Sequence, residues 1–515
     1  MKEEGAGAGT DVDAGADVAA DVTVDVAVVG LGPVGAVVTS LLAGRGMSVW
    51  ACDRELDIFP LPRAAHIDHM GLRVLQEIGC ADDLLPELRV NEGSVFVDAG
   101  RRQLFTIGAG RETVSGYPGS SYFHQPFFDR LLRRAAAGFD SVRLDLGVEV
   151  EAVEAGGNGY VVRAHRRTGG ALAVAARYVL GCDGVNSTVR AAIGADRVLS
   201  GFEEDWFILD LVLEEGTATD DIAVQVCDRA RPMTLLPMPG RRYRLECQAM
   251  PGESATAMLG DEGWRDALIA HALPGVRYER VERTASYTFR GGVASRWRER
   301  GIFLLGDAAH VMPPFLGQGM CSGIRDAANL AWKLDLVWRG EAREGLLDTY
   351  ESERRPHVSS IIDSAVGLGR FICASSDGEV EARQRLVAAG AEALGAQLSF
   401  RLPTLEPGPL VWPGGGRLVP QDLPSGSLPS DQWLGPGFAV FVRDRAVLGG
   451  ADRWWSGNGV GRLVMADEVP AGYPKLRAWL DALPAPVAVV RPDRYVAGFG
   501  QHVRDVTDRL VAGLG

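Results

Sequence analysis

A glycine-rich turn between two apolar runs near the start of the chain restricts its fold more than any other feature. Residues 25–29 read as a buried strand, and Gly30, Gly32 and Gly35 form a GxGxxG pattern that opens a helix; a second strand then ends at Asp53. These glycines allow a tight turn in which a pyrophosphate reaches the helix N-terminus, and an acid about 20 residues further on can hold ribose hydroxyls. The segment predicts an α/β fold with a Rossmann-like dinucleotide-binding domain.

A comparable strand, loop and helix occur later in the chain. Residues 301–305 are apolar and predict a strand, Asp307 follows it, and Gly317 and Gly319 precede a helical pattern over residues 322–334. A carboxylate at a strand end can accept a hydrogen bond from a ribityl or ribose hydroxyl, and a helix N-terminus favours an anion such as a reduced flavin ring. On these residues alone, an ordinary strand–loop–helix unit with glycines for tight turns is an equal alternative.

Composition limits the class of protein. The length of 515 residues suits two or three domains, and the net charge of −14 argues against nonspecific nucleic-acid binding. We find no apolar run long enough to span a membrane. Seven scattered cysteines without a CxxC pair predict a reducing, cytoplasmic location, and the histidines and cysteines form no cluster that predicts a metal site.

Composition and periodicity also divide the chain. The alternation of apolar and polar residues after position 200 predicts an antiparallel sheet above the cofactor, and Pro356 is expected to end the preceding helical stretch. The predicted parts are a disordered acidic tail (1–22), the dinucleotide-binding domain (23–200 and, with further helices, 296–400), a substrate-binding sheet domain (201–295), a Pro- and Gly-rich linker (401–436) and a small α/β unit (437–515).

Three separated motifs together resemble those of one enzyme family, the single-component (class A) FAD-dependent aromatic hydroxylases of the para-hydroxybenzoate and phenol hydroxylase superfamily. The motifs are GxGxxG from Gly30, the Asp183-Gly184 pair with Ser187 and Arg190, and Gly306-Asp307-Ala308-Ala309-His310 with Pro313-Pro314 and Gly317-Gln318-Gly319. Within the family, the sequence resembles 3-(3-hydroxyphenyl)propionate hydroxylases. This resemblance lies in Pro62-Arg63-Ala64, Ile67-Asp68, Gly306-Asp307-Ala308-Ala309-His310 and Arg491-Pro492-Asp493-Arg494.

The resemblance implies that the chain holds FAD noncovalently and that NAD(P)H visits the flavin only transiently. Cys321 stands where the family usually has Asn beside the flavin. The cofactor-binding positions implied are Gly30, Gly32, Gly35, Asp53, Arg54, Arg63, Gln125, Asp183, Asp307, Pro314, Gly317, Gly319, Met320 and Cys321.

Two residues are candidates for the base that draws off or orients the proton of a phenol. Asp68, followed by Arg73, lines up with an acid that contacts the substrate hydroxyl in phenol hydroxylases; it could equally cap a helix. His66 is either a base in the pocket or a histidine of the loop. The substrate-binding candidates are Arg244, which could instead form a cross-strand ion pair, Leu236, which could be core, and Pro313.

The function implied by the resemblance is NAD(P)H- and O2-dependent hydroxylation of a small phenolic substrate through a C4a-hydroperoxyflavin. Two alternatives stay open: a tailoring oxygenase that hydroxylates a polycyclic aromatic or performs Baeyer–Villiger chemistry on it, and a flavin-binding protein without turnover. The last 79 residues resemble the thioredoxin-like C-terminal domain of phenol hydroxylase relatives, and because no cysteine follows Cys373 they predict a structural or homodimer-supporting role.

Overall fold

Parallel strands from distant parts of the sequence form the centre of the first sheet. The computed structural model describes residues 20–60, 63–108, 112–390, 394, 402–450, 452–455 and 459–515. In this part of the chain the first sheet has eight strands. Its main path runs Arg298–Glu299, Ile302–Leu304, Ala171–Gly181, Val22–Val29, Val49–Asp53 and Val142–Leu146, and Gly159–Arg166 and Val148–Gly156 extend it from Ala171–Gly181. The predicted strand, GxGxxG turn and helix at residues 25–35 are confirmed, although the first strand begins at Val22, inside the predicted tail, whose residues 1–19 lie outside the described residues.

The strand register brings the predicted motifs to one edge of this sheet. Val29 pairs with both Cys52 and Gly181, and Gly181 pairs in turn with Leu304, all in parallel strands. The residues that follow these four strand ends therefore lie side by side. This is the carboxyl edge at which open parallel sheets bind ligands.

The second sheet is mostly antiparallel and confirms the strand alternation predicted after residue 200. Its eight strands within the described residues run in the order His310–Val311, Tyr278–Ala294, Arg197–Leu213, Arg242–Gln248, Met233–Pro237, Ala223–Val226, Gly93–Val97 and Gln103–Gly108. Two of them come from residues before position 110, so the sheet is built from two separated parts of the sequence. A third, short sheet has its strands in the order His66–Asp68, Ser120–Tyr122 and Arg89–Val90.

The C-terminal unit is joined to the rest of the chain by buried ion pairs. Its sheet runs in the order Gly461–Met465, Phe438–Val442, Val487–Val490 and Val496–Gly500. Arg491 donates to both oxygens of Glu353, at 2.9 and 2.7 Å, and Lys333 donates to the same carboxylate at 2.8 Å. The segment predicted to be a linker is packed as well, because Arg73 and Asp431 form a two-fold hydrogen-bonded ion pair with both distances at 2.6 Å.

The helices surround these sheets, and one of them corrects a prediction. Pro356 lies inside the helix Asp348–Ile372 and does not end it, since buried residues such as Val358 and Ile361 hold the next turns against the core and offset the lost hydrogen bond. The helix Asp377–Ala388 follows it in the chain. Among the described residues, the other α-helices are Pro33–Ala43, His69–Glu77, Ala81–Leu84, Gln125–Ala137, Thr188–Ala192, Ala255–Gly260, Glu262–Ala272, Gln318–Trp338, Ser430–Leu434, Asp452–Trp455, Pro474–Asp481 and Val503–Leu514.

No described helix by itself is long and apolar enough to cross a membrane. The bent pair Glu344–Ile372 and Asp377–Ala388 meets the length and composition criteria only when its two members are taken together.

Candidate active site

A cavity of about 1260 Å³ lies between the carboxyl edge of the first sheet and one face of the second. This volume exceeds the roughly 300–1000 Å³ typical of a site for one small ligand. The cavity is lined by residues at or just after the four aligned strand ends, namely Gly30, Asp53, Asp183 and Asp307. These four predicted cofactor positions are thus brought together.

The glycine-rich turn has room for a ligand on one side and none on the other. Gly30 has φ +93°, and a Cβ there would lie 2.4 Å from the carbonyl oxygen of Cys182. A Cβ at Gly35 would lie 1.9 Å from the carbonyl oxygen of Gly30, so the helix packs directly on the turn. Around Gly32, by contrast, a Cβ would meet nothing within 4 Å. The open position lies at the N-terminus of the helix Pro33–Ala43, where a phosphate is favoured.

Asp53 is held at the end of its strand by two donors. Its Oδ2 accepts from the backbone N–H of Leu31 at 3.1 Å and from Nη2 of Arg133 at 3.0 Å. Arg133 also lines the cavity and is a residue that sequence reasoning missed; its position on the helix Gln125–Ala137 is the only signal for it. Arg54 lines the same region with an exposed side chain.

Gln125 holds the loop that carries Arg63, another predicted cofactor-binding residue. Its Oε1 accepts the backbone N–H groups of both Arg63 and Ala64, each at 2.6 Å. On the other side of the loop, Nη1 of Arg244 donates to the carbonyl oxygen of Arg63 at 3.0 Å. Pro62 lies outside the described residues. These bonds give Gln125 and Arg244 a positioning contact with the loop, and both side chains also line the cavity.

Asp183 and Asp307 face the cavity with different hydrogen-bonding states. Asp183 accepts from Oγ of Ser187 at 2.5 Å and from the backbone N–H of Val189, in the first turn of the helix Thr188–Ala192, at 3.1 Å. No side-chain or backbone donor among the described residues bonds the Asp307 carboxylate, which is accessible from the cavity. Desolvation by the surrounding protein raises the pKa of Asp307. Asp307 is therefore the carboxylate with acceptor capacity left for a ligand hydroxyl.

His66 contacts the glycine turn that precedes the helix Gln318–Trp338. Gly317 has φ +63°, and its carbonyl oxygen lies 3.0 Å from Nδ1 of His66. Burial lowers the pKa of His66, so the ring is neutral at pH 7. Because the contact with a carbonyl oxygen assigns the proton to Nδ1, Nε2 is left as an acceptor. His66 lines the cavity.

Asp68 is confirmed as a helix N-cap, and its carboxylate also binds an arginine that is distant in the sequence. Its Oδ1 accepts from the backbone N–H of Gly71 at 2.8 Å, and its Oδ2 accepts from Nη1 of Arg325 at 2.6 Å. Arg73 forms its ion pair with Asp431 and not with Asp68. Although burial alone would raise the pKa of Asp68, the Arg325 guanidinium holds it well below its usual range. Arg325 was missed because it lies far away in sequence.

The remaining predicted residues divide into those that line the cavity and those that do not. Pro314, Gly319, Met320 and Leu236 are among the lining residues. Pro313 is buried between two lining neighbours and is not itself one, and Cys321 is fully buried with its Sγ 3.8 Å from the carbonyl oxygen of His66. The apolar part of the wall is formed by Phe96, Ile208, Phe289, Phe315, Leu316 and Leu368.

Arg244 forms a cross-strand ion pair with Asp210, which was one of the two roles predicted for it. Its Nε donates to Asp210 Oδ1 at 2.6 Å and its Nη2 to Asp210 Oδ2 at 3.1 Å. Glu246 lies on the same strand, 3.8 Å from Nη1 of Arg244. Thr234 and Gln225, which the sequence reasoning missed, line the cavity on the neighbouring strands.

Comparison with known proteins agrees with this geometry. A family profile described as "FAD binding domain" matches residues 23–365. The chain is 35% identical over 500 residues to a Rhodococcus jostii (strain RHA1) protein named "Probable NADH-specific resorcinol 4-hydroxylase", covering 94% of this chain and 93% of the relative. It is 31% identical over 539 residues to a 3-(3-hydroxy-phenyl)propionate/3-hydroxycinnamic acid hydroxylase of Mycobacterium sp. (strain JLS), covering 95% and 92%. The fold is similar to that of the flavin-dependent monooxygenase PieE, with a TM-score of 0.79, 20% identity, and coverage of 96% of this chain and 100% of that one.

Proposed function

We propose that this chain, which belongs to the FAD binding domain family of flavin-dependent monooxygenases, hydroxylates the ring of a phenolic substrate with NADH and O2. The observation that carries the proposal is the shared cavity, in which Gly30, Asp53, Asp183 and Asp307 from four aligned strands lie opposite His66. NADH is proposed as the electron donor because the relative from Rhodococcus is named as specific for it.

The residues at the carboxyl edge fit FAD. The open space at Gly32 suits the pyrophosphate, Asp53 suits the ribose of the adenosine half, and the unpartnered carboxylate of Asp307 suits a ribityl hydroxyl. Gly317 and Gly319, at the N-terminus of a 21-residue helix, suit the anionic side of a reduced ring. When bound, FAD supplies the chemistry that takes electrons from NADH and activates O2 for transfer to an aromatic carbon.

We assign the proton acceptor for the substrate hydroxyl to His66. A phenol reacts faster as its ring becomes richer in electrons, so a group that draws on the hydroxyl proton helps the reaction. Neutral His66 offers Nε2 to such a proton while Gly317 fixes the ring through Nδ1. Asp68, whose two oxygens are both occupied, is proposed as a positioning residue that orders the start of the helix His69–Glu77 beside His66.

The apolar wall is proposed to keep water from the reacting atoms. Phe315, Leu316 and Leu368 line the cavity, and Phe315 packs edge-on against Phe202 and Phe289. An apolar and enclosed site strengthens the hydrogen bonds to the substrate and limits hydrolytic side reactions.

We further propose that residues 437–515 form a thioredoxin-like domain with a structural role. The four-stranded sheet with one parallel pair and two antiparallel pairs supports this assignment. The absence of cysteine after Cys373 in the sequence means that the unit cannot perform dithiol chemistry.

The test is purification followed by a substrate panel. We expect a yellow protein with about one noncovalent FAD per chain, and NADH oxidation that rises when a phenol is added, with a product heavier by one oxygen. The panel contains 1,3-dihydroxybenzene, phenol, 3-(3-hydroxyphenyl)propionate and a polycyclic phenol. A protein that takes up no FAD, or one whose NADH oxidation responds to none of these phenols, would contradict the proposal; a response to the polycyclic phenol alone would favour a tailoring oxygenase.

A further inference from the structure

Glu246 is a buried carboxylate on the cavity wall whose hydrogen-bonding capacity is unused. Glu246 is only 6% exposed to solvent, and it lines the cavity. The Arg244 nitrogen nearest to it is 3.8 Å away, beyond hydrogen-bond distance, and no donor among the described residues bonds its side chain. Because a buried acceptor without a donor is costly, such a group in a ligand cavity calls for a donor from the ligand.

The cations near Glu246 are engaged by another carboxylate. Asp210 accepts from Arg244 at 2.6 and 3.1 Å and from Arg283 at 3.3 Å, and Arg283 also donates to the hydroxyl of Tyr287. Two carboxylates thus share this part of the wall with two arginines. An additional anion from a ligand would meet both carboxylates at close range, which is strongly unfavourable in a buried site.

The strand register places Glu246 in a polar row that crosses the second sheet. Glu246 pairs with Thr234 on one side and with Ile208 on the other, and Thr234 pairs with Gln225. Residues paired across neighbouring strands share one face, and all four line the cavity. The Thr234 hydroxyl donates to Oε1 of Gln225 at 2.6 Å, so these two side chains are bonded to each other and not to Glu246.

His66 and Glu246 approach the cavity from different sheets, with Tyr122 beside both. Tyr122 pairs with His66 in the short sheet, and their ring centroids lie 6.3 Å apart. Burial and, to a smaller degree, the nearby Glu246 carboxylate raise the pKa of Tyr122. The substrate region therefore presents two separate acceptors, of which a ring with a single hydroxyl can satisfy only one.

We infer that Glu246 determines specificity by accepting a hydrogen bond from a second, non-reacting hydroxyl of the substrate, so that the substrate class is an uncharged dihydroxybenzene rather than a phenol with a carboxylated side chain. This inference rests on the proposed hydroxylase function and on the assignment of the reacting hydroxyl to His66. A site built to bond a hydroxyl rejects analogues that lack it, because its buried polar groups then stay unpaired.

The experiment compares Glu246→Gln with the wild-type enzyme, both loaded with FAD. For wild type, we expect kcat/KM for 1,3-dihydroxybenzene to exceed that for phenol and for 3-(3-hydroxyphenyl)propionate. The substitution should lower kcat/KM for 1,3-dihydroxybenzene about 10- to 100-fold, mainly through KM, since a hydrogen bond to a buried acceptor is lost. Phenol, which makes no contact with Glu246, should change by less than about threefold. The matched control is Glu279→Gln, an exposed glutamate of the same sheet, which should leave all three substrates within about twofold of wild type.

Binding without NADH separates this inference from the proposed function. The dissociation constant of 1,3-dihydroxybenzene, measured from the change in flavin absorbance, should rise in Glu246→Gln by the same factor as KM, and Glu246→Asp should fall between the two. If no phenol stimulates NADH oxidation, the proposed function fails while this binding measurement still decides the role of Glu246. The inference is overturned if the variant weakens phenol and 1,3-dihydroxybenzene equally, if it leaves both unchanged, or if wild type prefers the carboxylated phenol.

Discussion

Removing Arg325 should expose how strongly the protein depends on the ion pair beneath the substrate region. The side chains of Arg325 and Asp68 are only 1% and 3% exposed and lie 2.6 Å apart. In Arg325→Met the arginine is replaced by an apolar side chain, and Asp68 is left as a buried carboxylate with the N–H of Gly71 as its remaining donor. Breaking a buried pair in this way costs about 3–5 kcal/mol, because one charge stays behind without compensation.

The pH dependence of this loss follows from the pKa of Asp68. In the wild type that pKa is held below its usual value, so the stabilisation is present above the unfolded-state pKa and is lost only as the pH falls through the still lower folded-state value. In Arg325→Met, burial becomes the dominant influence, because only the N–H of Gly71 and the nearby histidines oppose it, and it raises the pKa above that of the unfolded state. The variant should therefore lose further stability as the pH rises from 5 to 8, whereas Asp68 contributes no such slope in the wild type.

The assay is urea denaturation followed by tryptophan fluorescence at pH 5, 6.5 and 8, for Arg325→Met, Asp68→Asn and the double variant. Asn caps helices nearly as well as Asp, so Asp68→Asn isolates the charge. We expect the double variant to be less destabilised than the sum of the single variants, with a coupling energy of about 2–3 kcal/mol. If Arg325→Met lowers the free energy of unfolding by less than about 1 kcal/mol, and the pH dependence of its stability matches that of the wild type, the reasoning is refuted. A loss that small is typical of solvent-exposed ion pairs.

Three further changes test other parts of the site. His66→Asn should lower kcat about 100-fold or more. Because burial lowers the pKa of His66, kcat/KM of the wild type should stay constant as the pH falls below 6.5, until that lower pKa is reached. The same pH profile in the variant would contradict the role of His66 as proton acceptor. Asp307→Ala should weaken FAD binding about tenfold in a titration of apoprotein followed by flavin fluorescence, and unchanged retention would exclude its assigned contact. Glu353→Gln should destabilise the protein by about 3–5 kcal/mol, because it leaves the buried charges of Arg491 and Lys333 without their anion; an unchanged denaturation midpoint would mean that Asp493, the other partner of Arg491, is sufficient.

Local patterns were enough to predict the carboxyl edge of the first sheet. The turn at Gly30 and the acid at Asp307 each follow an apolar run directly, so the strand end and the residue after it can be read together. The parallel register then brings the two together without further information, because Val29, Gly181 and Leu304 lie in adjacent strands. The same holds for the alternating strands after residue 200.

Contacts between distant segments could not be predicted in this way. Arg325 lies 257 residues from Asp68, and nothing in the sequence near either one points to the other. The polar row at Glu246 depends on which residue of Met233–Pro237 lies opposite it, and a shift of one position would turn Thr234 away. Pro356 was misjudged for a related reason, since the burial of the residues after it outweighs its local preference to end a helix.

The buried cluster at Glu353 has a consequence for anyone who would shorten the enzyme. Lys333 belongs to the helix whose first residues line the cavity, and its charge is balanced by a glutamate that Arg491 of the C-terminal unit also holds. A version ending before residue 437 would lose Arg491 and open this interior to water close to the helix that begins at the cavity. A minimal catalytic fragment would therefore need apolar replacements at positions 333 and 353 before the C-terminal unit could be removed.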